Sequence, residues 1–216
     1  MSGGIKAGAK LVYGIGINDA DYVTKISDCL GYVDGKRKRK LVWYCPFYAK
    51  WIGMLQRCYS EKLHEKYPTY KGCSVIEEWL TFSKFKSWME TQDWEGKQLD
   101  KDILFPNNKI YSLEACVFVD QKVNSFILES TATRGEWPLG VYFNKQCRKF
   151  IAKCWSVTTG KREHLGIFKT PEEAHQAWLT FKLEQAYILA AEQSDERIAK
   201  ALIEKYENFT SIEKAT

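Results

Sequence analysis

The hydrophobic period of this chain changes once, at Trp137-Pro138, and that change limits the fold more than any other feature. Before it, apolar residues recur at three- and four-residue spacing, the period of a helix face packed on a core. Phe47, Trp51, Met54, Leu55 and Cys58 follow Pro46, a residue suited to the first turn of a helix, and Trp79, Phe82, Phe85, Trp88 and Met89 predict a second helix. A short strand through Val75, a strand over 97–104, a strand over 110–119 and a short helix capped by Asp120 complete the first part. After Trp137-Pro138 the pattern predicts three short strands, at 139–143, 148–156 and 163–168, separated by polar turns. Thr170-Pro171-Glu172-Glu173 then has the form of a helix start, and Ile198, Leu202 and Tyr206 mark a last amphipathic helix. The fold class expected is α+β, in two domains.

Composition narrows the class of partner. With 45% hydrophobic residues, including 8 Trp, 12 Tyr and 11 Phe, the chain can bury a core. No uncharged apolar run approaches the roughly 20 residues of a spanning helix, and the Gly-rich start carries no apolar segment, so neither membrane nor export is expected. Seven scattered cysteines with no close pair suit buried thiols in a reducing cytoplasm, and a structural zinc is not expected.

The net charge of +5 hides unlike parts. Residues 1–40 hold eight bases and four acids, and residues 134–170 hold eight bases and two acids, whereas 171–216 are acidic. Clustered charge of that kind attracts polyanions locally. The run Lys36, Arg37, Lys38, Arg39 and Lys40 reads as a phosphate-contacting arm.

Gly140-Val-Tyr142, Arg148 with Phe150 and Ala152, Leu165-Gly-Ile-Phe168 and Thr170-Pro-Glu-Glu-Ala174 resemble an AP2/ERF-type DNA-binding domain over about residues 138–190. The resemblance implies three antiparallel strands on a helix, with the sheet in the major groove of double-stranded DNA. Its candidate contacts are Lys145, Arg148, Lys149, Lys153, Trp155, Lys161, Arg162 and His164. Strand alternation independently makes at least one sheet face basic, with Arg suited to guanine and Lys to phosphate.

Trp51-x-x-Met54, Arg57-Cys-Tyr59, Tyr70-x-Gly72, Glu78-Trp79, Phe82-x-x-Phe85, Leu99-Asp100 and Tyr111-Ser-x-Glu-x-Cys116 resemble the phage-encoded HNH (homing) endonucleases, over about residues 43–127. The resemblance implies a ββα-metal domain with Asp100 and Asn124 as ligands of Mg²⁺ or Mn²⁺, with Asp102 as a further carboxylate. Asn107 or Asn108 is a candidate to reach in from the loop. The family's general-base His is replaced here by Lys101, and Ala115, Val117 and Phe118 stand where the family has Asn, Arg and Trp.

The expected organisation is a basic arm (1–40), an HNH-like domain (41–128), a linker (129–137), an AP2-like domain (138–190) and a C-terminal amphipathic helix (191–216). The expected function is metal-dependent cleavage of DNA by a phage protein in the host cytoplasm. The alternative is a catalytically inactive relative that regulates DNA or blocks a host defence protein.

Overall fold

The computed structural model describes residues 11–128 and 136–213, with side chains through Glu207. Residues 1–10 of the expected arm, 129–135 of the expected linker and the last three residues of the chain lie outside the described residues. The class is mixed α+β, and the chain forms two compact units, Met1–Val119 and Asp120–Thr216. Among the described residues, no helix is long and apolar enough to cross a membrane.

The first unit begins with a segment tied to its core. Ile17 exchanges backbone hydrogen bonds with Leu80 and Phe82, and Asp19 accepts from the Ser83 amide at 2.9 Å, capping a helix far away in sequence. The strands β1 (Lys25–Val33) and β2 (Lys36–Tyr44) then form an antiparallel hairpin. Its turn places Asp34 at φ 50° and Gly35 at φ 71°, the pair of left-handed residues that a two-residue hairpin loop needs. The basic run expected as an arm thus lies in an exposed strand.

Helix α1 (Pro46–Tyr59) starts on Pro46 as expected and buries Tyr48, Trp51, Met54, Leu55 and Cys58 on one stripe. Ser60 closes it and caps the short α2 (Glu61–Lys66) by accepting from the Leu63 amide. Strand β3 (Ser74–Val75) runs parallel to β5 (Ile110–Tyr111), and β4 (Gln98–Asp100) runs antiparallel to β6 (Val117–Val119). The second expected helix is divided: Glu77–Leu80 forms a 3₁₀ turn, and α3 (Phe82–Met89) follows Thr81, whose extended backbone breaks the run. The expected strand over 110–119 is likewise interrupted between β5 and β6, where the Ser112 hydroxyl accepts from the Ala115 amide. The aromatic residues of the middle region are core. Trp51 packs at 5.5 Å from Phe82 and donates from its indole to the Trp79 carbonyl, which satisfies the one polar atom that its burial would otherwise strand.

The second unit begins with α4 (Gln121–Ile127), capped by Asp120 as expected. Strands β7 (Val141–Asn144), β8 (Lys149–Trp155) and β9 (Arg162–Phe168) form an antiparallel sheet in sequential order, and α5 (Pro171–Ala191) packs on one side of it. Thr170 and Glu173 make a reciprocal capping box, with Pro171 in the first turn. Val141, Ala152, Cys154, Ala174, Trp178 and Leu179 are buried between sheet and helix. Helix α6 (Glu196–Glu213) packs against α5, and its Tyr206 meets Phe126 of α4 edge-on at 5.4 Å. Thus α4, expected to close the first domain, groups with the second unit.

Candidate nucleic-acid interface

Register decides which side chains of the three-stranded sheet share a face. Residues paired across an antiparallel ladder project to the same side, and neighbours along a strand alternate. Val141 pairs with Ala152 and Phe143 with Phe150, and these face α5 with Cys154. The opposite face carries Tyr142 beside Ile151, Ile151 beside Ile167, Lys153 beside His164, and Trp155 beside Arg162, with Lys149 at the start of β8. Trp155 is 59% exposed, and Tyr142, Ile167, Arg162, His164 and Lys149 are also exposed. A bulge between Ala152 and Lys153 leaves Leu165 out of the pairing and keeps His164 on this outer face.

The face combines charge with flat apolar surface. Arg162 donates to the Tyr142 hydroxyl and lies over the Tyr142 ring, 5.0 Å from its centroid, which ties the guanidinium to this face. Lys145 and Arg148 occupy the exposed β7–β8 turn, with Arg148 in the left-handed region at φ 51°, and Lys161 sits in the turn before β9. The strand expected from Arg148 begins one residue later, so Arg148 borders the face from the turn instead of projecting from the sheet. Tyr142, Ile151 and Ile167 were absent from the expected contacts. Their signal was alternation with Val141, Phe150 and Phe168, which is readable only once the register is known.

The residues expected to hold a metal behave differently. Asp100 ends β4 as expected, but its Oδ1 accepts from the amides of Asp102 and Ile103, each at 2.7 Å, so the carboxylate closes a turn. Burial pushes its pKa up from the usual carboxylate value, and the two amides oppose that shift. Lys101 is buried, and its Nζ donates to Asp102 Oδ1 at 2.5 Å and to the Asn108 carbonyl at 2.6 Å. Asn108 returns the tie, donating from Nδ2 to the carbonyls of Lys101 and Ile110 and accepting from the Ile110 amide. Asn107 occupies a left-handed turn position at φ 64°.

This constellation braces the loop between β4 and β5. Lys101 is committed as a donor, and Asp102 is committed to Lys101. Among the described residues no group of three or more His, Cys, Asp or Glu side chains could hold a metal ion. Asn124 lies in α4, in the other compact unit from Asp100. Asp100 and Asp102 thus already engage partners within this loop, the two backbone amides and Lys101. His64 donates to the Arg57 carbonyl at 2.8 Å at the end of α1 and is structural. Arg57, which the sequence singled out only as part of a motif, lies over the Tyr111 ring at 5.3 Å, with Lys101 at 5.8 Å from the same ring.

No protein-family model matches the chain, and neither the curated proteins nor the solved structures contain a match to it.

Proposed function

We propose that this protein binds double-stranded DNA through the outer face of the β7–β9 sheet. One observation carries the reading: a single exposed face presents Lys149, Lys153, Arg162 and His164 with Trp155 and Tyr142, while α5 covers the other. Lysines suit phosphate, the guanidinium suits guanine O6 and N7, and exposed rings suit sugar and thymine methyl surfaces. A sheet of three strands backed by one helix is the form the AP2-like resemblance implies, and that family reading of the second unit belongs to the proposal. So do the HNH-like ancestry of the first unit and a cytoplasmic location beside DNA. Asp100 and Asp102 already engage partners within their loop, so the function proposed is binding, as in the alternative of a non-cleaving relative.

Titration of a fluorescent duplex at increasing salt tests this reading. Log affinity should fall linearly with log salt, because each neutralised phosphate releases counterions with a slope of about 0.9. Lys153→Ala with Arg162→Ala should weaken binding and flatten that slope by about 1–2. Absence of duplex binding at low salt would overturn the proposal.

A further inference from the structure

The β1–β2 hairpin poses a separate problem. Sixteen of its eighteen strand positions are exposed and the other two, Ser27 and Tyr44, are half-buried, so among the described residues neither face of the ribbon is covered. A two-stranded ribbon is marginal alone in water, so its chemistry should reveal what it meets. Alternation along β2 divides the bases. Arg37 and Arg39 share a face with Tyr32 and Cys29, whereas Lys36 and Lys40 share the other with Val33 and Asp28, and Lys38 falls on that lysine side. An element made to lie on a lipid surface has one apolar and one basic face. Here both faces are basic and both carry exposed apolar residues, Tyr32 and Leu41 on the arginine side and Val33 on the lysine side.

We propose that this hairpin is a second duplex-binding element, one that lies in the major groove with its arginine face toward the base edges and its lysines reaching the flanking phosphates. The proposal rests on the reading of the protein as a DNA binder. Three observations support it. The major groove, about 12 Å wide, admits a two-stranded ribbon, and the minor groove, about 6 Å wide, does not. Nine residues per strand extend about 30 Å, close to one turn of duplex. Two irregularities interrupt the ladder: Leu30 and Gly31 both fall opposite Lys38, and Val42 is extra beside Ser27 and Ile26. Bulges increase the right-handed twist of a ribbon, and a coiled ribbon follows a groove that a flat one would leave. Arg37 is also held in place, since its Nε donates to Cys29 Sγ at 3.1 Å.

The experiment uses the full chain and a random-sequence duplex pool, with a matching pool carrying 7-deazaguanine, which lacks the N7 acceptor of the major groove. The variants are Arg37→Ser with Arg39→Ser, Lys36→Ser with Lys38→Ser and Lys40→Ser, and the sheet pair Lys153→Ala with Arg162→Ala. All hairpin changes fall on exposed positions, and an unchanged melting curve verifies each fold. The arginine pair should bind the ordinary pool about five-fold or more weaker and lose the native protein's preference for it over the 7-deaza pool. The lysine triple should keep that preference and flatten the salt slope by two to three. Hairpin variants that bind like the native protein, while the sheet pair is weakened, overturn this proposal and leave the DNA reading standing. A native protein that binds anionic vesicles or single-stranded RNA but no duplex overturns both.

Discussion

A methyl group on Gly140 would lie 1.9 Å from Cδ1 of Trp178, and the residue holds φ +77°. Gly140→Ala therefore combines overpacking against an indole that anchors α5 with backbone strain, at a cost of roughly 2–3 kcal/mol or more. The second unit's melting temperature should fall by about 10 °C or more in a thermal scan. At Asp100 two substitutions separate turn closure from charge. Asp100→Ala leaves the Asp102 and Ile103 amides unpaired and should cost about 1–3 kcal/mol in denaturant unfolding. Asp100→Asn keeps an acceptor and removes a charge that burial disfavours, so its stability should stay within about 1 kcal/mol of the native protein. Equal losses in the two would mean that the ionised carboxylate is required. Cys29 gives a third reading at this scale. The hydrogen bond from Arg37, then that of the Gly31 backbone, lowers its thiol pKa, while burial pushes Cys58 and Cys116 up to about 12. A lowered pKa means more thiolate at a given pH, so alkylation of Cys29 should rise at lower pH than for an ordinary thiol, and Arg37→Ala should return the profile upward. Cys58 and Cys116 should stay unlabelled at pH 8 in the folded protein.

Among the elements, those with local punctuation were the legible ones. Pro46 opens α1, Asp120 caps α4, and Thr170-Pro171 opens α5, because caps and first-turn prolines act on backbone groups within three residues. Thr170→Ala breaks the capping box and should cost about 1 kcal/mol, measurable as a shift of the unfolding midpoint. The aromatic pattern located the buried face over 79–89 but missed the break at Thr81, since Ile17 and Asp19, distant in sequence, pair with the backbone there. The strand over 110–119 was read as continuous for a similar reason: a serine turn halts it, and apolar periodicity is blind to that. The strands of the basic arm were not legible because its run of bases lacks the alternation of a half-buried strand. Its one local signal was Asp34-Gly35.

For the molecule as a whole, splitting the charge by segment identified the basic sheet, since charge clustering survives any fold that leaves the strands exposed. The expected pairing of Asp100 with Asn124 was a different kind of inference. It rested on the family resemblance alone, and the two residues fall in different compact units. The candidate surface was thus legible down to Lys149, Lys153, Trp155, Arg162 and His164, whereas Tyr142, Ile151 and Ile167 needed the ladder.

Among the described residues, the two strands of the hairpin also leave both long edges of the ribbon unpaired, each a row of amide and carbonyl groups able to dock a strand from a neighbouring molecule. Six bases against two acids over 25–44 make such ribbons repel one another. At 1 M salt, where charges act over only about 3 Å, that repulsion is lost. Sedimentation should then show the native chain associating, and a proline in the middle of β1 should prevent it. That outcome would make the hairpin's charge a guard against polymerisation as well as a feature for binding.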